Sequence, residues 1–413
     1  GIIFNETNLC SGCLIHEEKN TINWKKKFNK LKKIINIYKK ENSKNNFDCI
    51  IPVTGGSDSF FVVHIVKNKL GLNPLLVNYN SHYNTKLGIR NLAKLVTVFD
   101  CDMVTSTVSP EIVKKITRHT LKKYGSIYWH VLSGLTTFPV QTSVKYKIPL
   151  IIWGVNGWSE QTGMFSHHDE VEMTQRCRRE HGLMGLKAED LIKNNSNIMR
   201  KDIQSFIYPY DNEIENIGVR GIYLSNYIRW DAKTQHENMI KLYKYETEKQ
   251  QRTFNTYEDV HCHHSAGLHD YIKYLKFGYS KVTDHASREI RLQRLTRKEG
   301  IDLVKKYSNV FPKDIKIFSE WIEINENKIM NIINKFRSKN IWSKEKGKWI
   351  LNDSIINHVK CKFTKLNKLR KKQKCKYIET KLIENLSINE KKYTLMGRSY
   401  IDKYNYMAIK DKI

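Results

Sequence analysis

The chain has 413 residues, enough for two or three domains with a sizeable core, and 40% of them are hydrophobic, which is ordinary for a globular protein. No apolar run approaches the roughly 18–20 residues that a membrane-spanning helix needs, and the first residues lack the basic-then-apolar order of a secretory signal, so cytoplasm is the expected compartment. The 71 Lys and Arg against 42 Asp and Glu leave a net charge of +29; the excess is mostly Lys, densest at residues 25–44 and 360–381, and a solvated basic face accounts for it without a specific nucleic-acid partner.

An irregular stretch, residues 1–22, carries Cys10 and Cys13, the one closely spaced pair among eight cysteines. A C-x-x-C in a cytosolic chain reads as half of a zinc site rather than a disulfide. Cys262, with His263 and His264 beside it, is the nearest candidate to extend that site. Residues 22–44 then form a basic amphipathic helix, and residues 47–53 a first buried strand.

That strand runs into Thr54-Gly55-Gly56-Ser57-Asp58-Ser59, followed by apolar residues at helical spacing (Phe61, Val62, Ile65, Val66). Strand, glycine-rich turn and helix together aim several backbone N–H groups at one point, which suits a phosphate or pyrophosphate. No lysine follows the glycines, so this is not the loop of kinases and GTPases. The string resembles S-G-G-x-D-S, the pyrophosphate loop of ATP pyrophosphatases, with Thr54 keeping the hydroxyl of the usual first Ser. On that resemblance Val53, Thr54, Gly55, Gly56, Ser57, Asp58 and Ser59 hold ATP, and Asp58 helps to hold Mg²⁺.

A turn at residues 71–74 precedes a second strand, 75–79, then a helix over 84–98 and a third strand over 102–107. Residues 110–146 are helical, with expected breaks near Gly125 and Gly134, and 149–153 form a fourth strand. Strands alternating with helices imply a parallel α/β sheet, whose ligands lie beyond the carboxyl ends of the strands. The polar residues after those ends are therefore site candidates: Asn78, His82 and Asn84 after the second strand, Gly154, Asn156 and Glu160 after the fourth. Residues 160–190 are expected to hold a helix preceded by a polar loop. His167, His168 and Asp169 within it are adjacent in sequence and cannot easily face one ion. Residues 207–209 and 218–224 read as extended, and the chain turns helical after Asp231. His269, Asp284, Arg288 and Arg291 stand in a segment dense in polar and aromatic groups. Arg288 and Arg291 lie three apart on one helical face, an arrangement suited to phosphate or carboxylate. From Trp321 onward a Lys- and Asn-rich helical tail is expected. The implied divisions are 1–45, 46–230, 231–330 and 331–413.

With these pieces in place the chain resembles the N-acetyl sugar amidotransferases of bacterial surface-glycan synthesis, within the ATP pyrophosphatase superfamily. The resemblance covers roughly residues 1–320. It rests on the pyrophosphate loop, Asn78-Tyr79-Asn80, Gly88-Ile89-Arg90-Asn91-Leu92, Thr137-Phe138-Pro139-Val140-Gln141, Gly218-Val219-Arg220-Gly221-Ile222-Tyr223-Leu224, Leu268-His269-Asp270-Tyr271 and Thr283-Asp284-His285-Ala286-Ser287-Arg288. It implies a Rossmann-like (HUP-type) sheet and a reaction in which ATP adenylates an acetamido oxygen of a nucleotide-activated sugar. Ammonia from a separate glutaminase subunit then completes an acetamidino group. Asn78 and Gly154 would contact the nucleoside; Asn84, Asn156, Glu160, His269 and Arg291 the sugar; Asp58, Ser59, His82, Asp284 and Arg288 the reacting groups. Family members carry a further C-x-x-C upstream of Cys10, so the resemblance also implies an N-terminally incomplete chain and a zinc site short of ligands. The rival class is a tRNA-thiolating or lysidine-type enzyme, which shares the loop and would use the positive charge; the absence of a compact basic, aromatic-interleaved patch argues against it.

Overall fold

In the computed structural model the described residues are 2–359, except 3, 4, 6–8, 42–45, 184 and 193–196. The elements in order are α1 (Ser11–Glu18), α2 (Trp24–Glu41), β1 (Cys49–Val53), α3 (Ser57–Val63), β2 (Pro74–Tyr79), α4 (Lys86–Phe99), β3 (Met103–Ser106), α5 (Pro110–Tyr124), α6 (Trp129–Tyr146), β4 (Leu150–Trp153), α7 (Gly157–Glu160), α8 (Arg200–Ile203), α9 (Asp211–Ile217), β5 (Arg220–Tyr223) and α10 (Ala232–Tyr243). The rest is helical, α11 (His263–Ala266), α12 (Leu268–Phe277), α13 (Lys281–Arg291), α14 (Arg297–Tyr307), α15 (Ile315–Ile322) and α16 (Glu326–Asn334), up to a hairpin of β6 (Trp342–Glu345) and β7 (Lys348–Leu351).

β1–β5 form one parallel sheet in the order β3-β2-β1-β4-β5. That is the Rossmann-like, HUP-type class, with the strand order reversing between β1 and β4. Alternate residues of each strand serve opposite faces. Ile51, Val53, Leu76 and Ile152 pack with α2, α3, α4 and α10. Ile50, Leu75, Val77 and Ile151 pack with α6 and α9 on the other side. Both faces are covered, which is why these strands read as unbroken apolar runs. Beyond the sheet, α12, α15, α16 and the hairpin share a second apolar cluster around Leu268, Ile272, Phe318 and Ile329, to which Leu121 of α5 also belongs.

Several expectations are corrected. Half of the N-terminal stretch is helical, because the Cys10 thiol caps α1 by accepting the Cys13 N–H. Gly125 ends α5 in the left-handed conformation that suits glycine, but Gly134 lies inside α6: its bare Cα lets the Tyr79 ring pack directly against the helix. Residues 160–190 hold only short turns of helix, and 244–262 are irregular although helix was expected after Asp231. The tail after Trp321 contains the β6–β7 hairpin as well as α16; residues 360–413 lie outside the described residues.

Candidate active site

β1 delivers its carboxyl end into the glycine-rich loop, and the loop folds on its own hydrogen bonds. The Thr54 N–H donates to Ser59 Oγ at 3.1 Å and the Gly56 N–H to Thr54 Oγ1 at 3.2 Å. Both hydroxyls are thus used as acceptors, which leaves each O–H proton free to donate elsewhere. Gly55 has φ +74°, and a Cβ there would stand 3.0 Å from Leu92 Cβ and 3.1 Å from the Gly88 carbonyl oxygen, so backbone strain and space both demand glycine. Ser57 is buried and donates to the Tyr257 carbonyl at 3.2 Å. Asp58, in the first turn of α3, keeps its carboxylate about half-exposed, while its Oδ1 is buried without a hydrogen-bond partner. An orphaned carboxylate oxygen beside a loop of this kind fits a divalent cation or a magnesium-bound phosphate.

Beside the loop, at the carboxyl ends of β1, β2 and β3, lies a cavity of about 250 Å³. Asn80, Ser81, Asn84 and Thr105 give it polar walls, and Ile89 and Leu92 of α4 an apolar one, the mixture that suits a nucleoside. Asn84 Nδ2 donates to Asn80 Oδ1 at 2.9 Å, and Ser81 Oγ to Asn84 Oδ1 at 2.8 Å. His82 sits between them at φ +61°, its N–H held by Asn80 Oδ1, and burial lowers its pKa. Asn78 borders the cavity, but its amide is spent on the Val53 carbonyl at 2.8 Å, tying β2 to β1.

The irregular stretch 245–262 closes over this end of the sheet. Thr85 Oγ1 donates to the Val260 carbonyl at 2.6 Å, the Thr85 N–H to the His261 carbonyl at 3.1 Å, and Tyr245 Oη to the Tyr257 carbonyl at 3.1 Å. His261 lies against Gly88 and Gly56, and lines the cavity with its neighbour Cys262. A second cluster forms where this stretch meets α10 and α13. His236, fully buried on α10, brings Nε2 to 3.4 Å from Asp58 Oδ1 and packs its ring 4.3 Å from that of Tyr257. Glu258 pairs with Arg288 at 2.7 Å and with His285 at 2.9 Å. Burial alone would raise the Glu258 pKa, but Arg288 first and His285 next hold it well below the carboxylate range. Arg288 Nε and Nη2 are buried without a hydrogen-bond partner.

Other sequence-derived candidates lie apart from this cluster. Gly154 packs against Val62 and Trp230, and Asn156 caps α7 by accepting the Trp158 N–H. Glu160 pairs with the buried ammonium of Lys19 and lies 3.7 Å from His167. His269 stacks on Tyr128, and burial takes its pKa down to about 4. Asp284 pairs with Lys273. Arg288 and Arg291 share a helical face yet part company, for Arg291 donates to the Gln161 carbonyl at 3.2 Å and reaches Cys10 Sγ at 3.7 Å. The Cys10 and Cys13 sulfurs are 3.3 Å apart. Cys262 Sγ is 3.4 Å from Ser81 Oγ on the cavity wall, and among the described residues no three His, Cys, Asp or Glu side chains gather in metal-binding geometry. The three cysteines proposed for zinc are not brought together.

Sequence reasoning missed His236, Tyr257, Glu258, His261 and His285. One signal was available: His236 and Met239, three apart, share the buried face of α10, and a histidine on a core face asks for a partner.

Residues 251–355, about a quarter of the chain, match the family described as LPS biosynthesis protein WbpG-like, C-terminal domain. The matched region supplies Tyr257, whose carbonyl accepts from Ser57, and His261, which lies against Gly56, together with the Glu258–His285–Arg288 cluster. No curated protein matches the chain. Among solved structures, NMN synthetase from Francisella tularensis is similar with a TM-score of 0.27 and 13% identity, over 53% of this chain and 94% of that one; the fold stands on the strand order described above. No helix among the described residues is long and apolar enough to cross a membrane.

Proposed function

We propose that the protein is an ATP-dependent amidotransferase that converts an acetamido group of a nucleotide-activated sugar into an acetamidino group, in the synthesis of a surface polysaccharide such as the LPS O-antigen or of a flagellin glycan. The observation that carries this reading is the meeting of two parts. A pyrophosphate-type loop lies directly under residues 257–261, within the segment that is similar to a lipopolysaccharide-biosynthesis domain. One part suits adenylation, and the other brings the likeness to sugar chemistry.

An amide carbonyl is a poor electrophile and its oxygen a poor leaving group. Adenylation corrects both: the amide oxygen bonds to the α-phosphorus of ATP, the bond to the β-phosphate breaks, and pyrophosphate leaves. Ammonia then adds to the activated carbon, loses protons to the surroundings, and expels AMP with the former amide oxygen. The task of the chain is placement and charge stabilisation. The backbone N–H groups of Gly55, Ser57 and Asp58 and the hydroxyls of Thr54 and Ser59 donate to the departing pyrophosphate. Asp58 would hold Mg²⁺, which supplies charge neutralisation. The cavity at Asn80, Asn84 and Thr105 takes the nucleoside. His236 brings a ring nitrogen to Asp58, and Arg288 fixes Glu258, the neighbour of Tyr257 on the covering stretch. A separate glutaminase supplies ammonia, which free ammonium replaces poorly but measurably.

The test supplies purified protein with ATP–Mg²⁺, ammonium and a panel of acetamido nucleotide-sugars, following AMP, ADP and sugar mass together. AMP and pyrophosphate, with a sugar lighter by the difference between O and NH, support the reading and identify the substrate. ADP and phosphate refute adenylation. AMP release that requires tRNA and ignores every sugar moves the protein to the tRNA-modifying class.

A further inference from the structure

Asp58 Oδ1 and His236 Nε2 face each other at 3.4 Å, both atoms buried and neither with a hydrogen-bond partner. One buried polar atom left unpaired is costly, and two that meet at one point call for a shared explanation. Both are held firmly. His236 is fully buried on α10, and the Tyr257 ring packs on it with 4.3 Å between ring centres. Tyr257 is itself fixed, for its carbonyl accepts from Ser57 Oγ at 3.2 Å and its N–H donates to Asn255 Oδ1 at 2.9 Å. Asp58 follows Ser57 in the first turn of α3. Loop, α10 and covering stretch together set the two atoms against each other.

Their separation distinguishes the roles they could have. A ring N–H donating to a carboxylate settles at about 2.7–2.9 Å. A single water making two good hydrogen bonds holds its partners roughly 4.5 Å apart. Two donor atoms that share one ion at about 2.0–2.2 Å stand roughly 3.0–3.5 Å from each other. The 3.4 Å between Oδ1 and Nε2 falls in that last range.

We propose, on the reading above that the loop holds ATP, that His236 is a ligand of the nucleotide-bound cation. Its Nε2 lone pair and Asp58 Oδ1 take adjacent positions on one divalent ion, and oxygens of the phosphates and water are the other ligands. Among the described residues no three His, Cys, Asp or Glu side chains gather around an ion, so two side chains bind it firmly only together with the nucleotide. A nitrogen ligand also sets the preference among ions. Mg²⁺ is hard and is held by carboxylate, phosphate and water oxygens. Mn²⁺ accepts the same oxygens but, as a first-row transition ion, gains more from an imidazole. The site therefore binds Mn²⁺ with nucleotide more tightly than Mg²⁺ with nucleotide.

The experiment is pulsed electron paramagnetic resonance of Mn²⁺ on the full-length protein with the α,β-methylene analogue of ATP, which cannot release pyrophosphate. A coordinated imidazole nitrogen modulates the Mn²⁺ echo. The modulation is expected in the parent protein and shifts in frequency when the protein is made with ¹⁵N-histidine. That step needs no substitution, so it stands whatever a variant does to folding. H236Q then abolishes the modulation while far-UV circular dichroism stays as in the parent. By calorimetry H236Q weakens the Mn²⁺–analogue complex about tenfold or more and the Mg²⁺ complex much less. A Mn²⁺–analogue complex without histidine modulation overturns the proposal and leaves the ring as a neighbour of Asp58 alone. A modulation that persists in H236Q comes from another histidine and overturns it too, as does equal affinity of the parent for the two complexes. If neither complex binds, the proposal and the ATP reading fall together. A histidine-ligated complex in a protein that converts no acetamido sugar supports the proposal and removes the sugar chemistry instead.

Discussion

Gly88 is where the closing stretch rests on the sheet half. It lies in the first turn of α4, and the N-cap residue Thr85 accepts its N–H at 2.9 Å while donating to Val260. A Cβ at Gly88 would overlap the His261 carbonyl oxygen and stand 2.6 Å from its Cα and 2.7 Å from its carbonyl carbon. Carbon atoms settle at about 3.5–4.0 Å, so Gly88→Ala drives the 260–261 backbone away by about 1 Å. Alanine returns up to about 1 kcal/mol of helix propensity, against about 1–3 kcal/mol for overpacking. The net loss of stability is therefore small, about 0–2 kcal/mol. The functional loss is larger. His261 and Tyr257 move away from Gly56 and Ser57, and a displacement of this size costs about a hundredfold in turnover. Thermal unfolding and the rate of pyrophosphate release at saturating ATP separate the two effects. A G88A protein that keeps parental turnover refutes the idea that the 245–262 stretch positions the loop, whatever its melting temperature.

The remaining expectations test other parts of the same structure. Asp58→Asn leaves stability within about 0.5 kcal/mol, because the carboxylate is half-exposed, but lowers AMP formation by about a hundredfold or more; parental AMP formation removes Asp58 from the site. Glu172→Gln breaks a buried pair with Arg220, 2.6 Å long with both side chains 4% exposed; urea unfolding should show a loss of about 3–5 kcal/mol, and a loss under 1 kcal/mol refutes that role. Burial takes the pKa of both His264 and His167 down to about 3. Between pH 6.5 and 3 the unfolded chain therefore binds protons that the folded chain refuses, and stability falls as pH falls. At pH 5 the loss is at most about 2 kcal/mol for each histidine. The urea midpoint should drop between pH 7 and pH 5, and less in an H264N/H167N protein; equal drops refute the assignment.

What was legible in the sequence is what local period and local backbone chemistry encode. The alternation of apolar strands with amphipathic helices gave the parallel sheet, and the two glycines after Val53 gave the loop, because φ and close approach at Gly55 are decided within a few residues. Gly134 misled because its reason for being glycine is a ring 55 residues earlier, Tyr79. Arg288 and Arg291 misled in the same way. Their spacing correctly placed them on one face, but Glu258 and Gln161, distant in sequence, draw the two guanidiniums to different partners. The irregular stretch 244–262 shows neither helical nor strand period, since its backbone is fixed by side chains of its own, Gln250 and Asn255 among them, and by the distant Thr85 and Asn91.

That irregularity bears on how the site is completed. A glycine-rich loop on a Rossmann-like sheet is generic, since a fold of this kind hosts many functions. Here the same residues that lack local structure cover the loop: Ser57 bonds to Tyr257, Gly56 faces His261, and Asp58 meets His236 beneath Tyr257. Glu258, on the same stretch, is anchored by His285 and Arg288 of α13. The loop and the helical region are thus joined through one short segment carrying both a loop contact and a helix contact. A substrate seated on the helical region would act on the loop through that segment, without any movement of the sheet. It follows that weakening the Glu258–Arg288 link, as in Arg288→Lys, should loosen the coupling between sugar and ATP binding while leaving ATP binding alone nearly intact. Calorimetric titration of ATP–Mg²⁺ with and without the acetamido nucleotide-sugar measures this directly: the affinity gain conferred by the sugar should shrink in the variant. An unchanged gain would show that the two halves communicate by some other route.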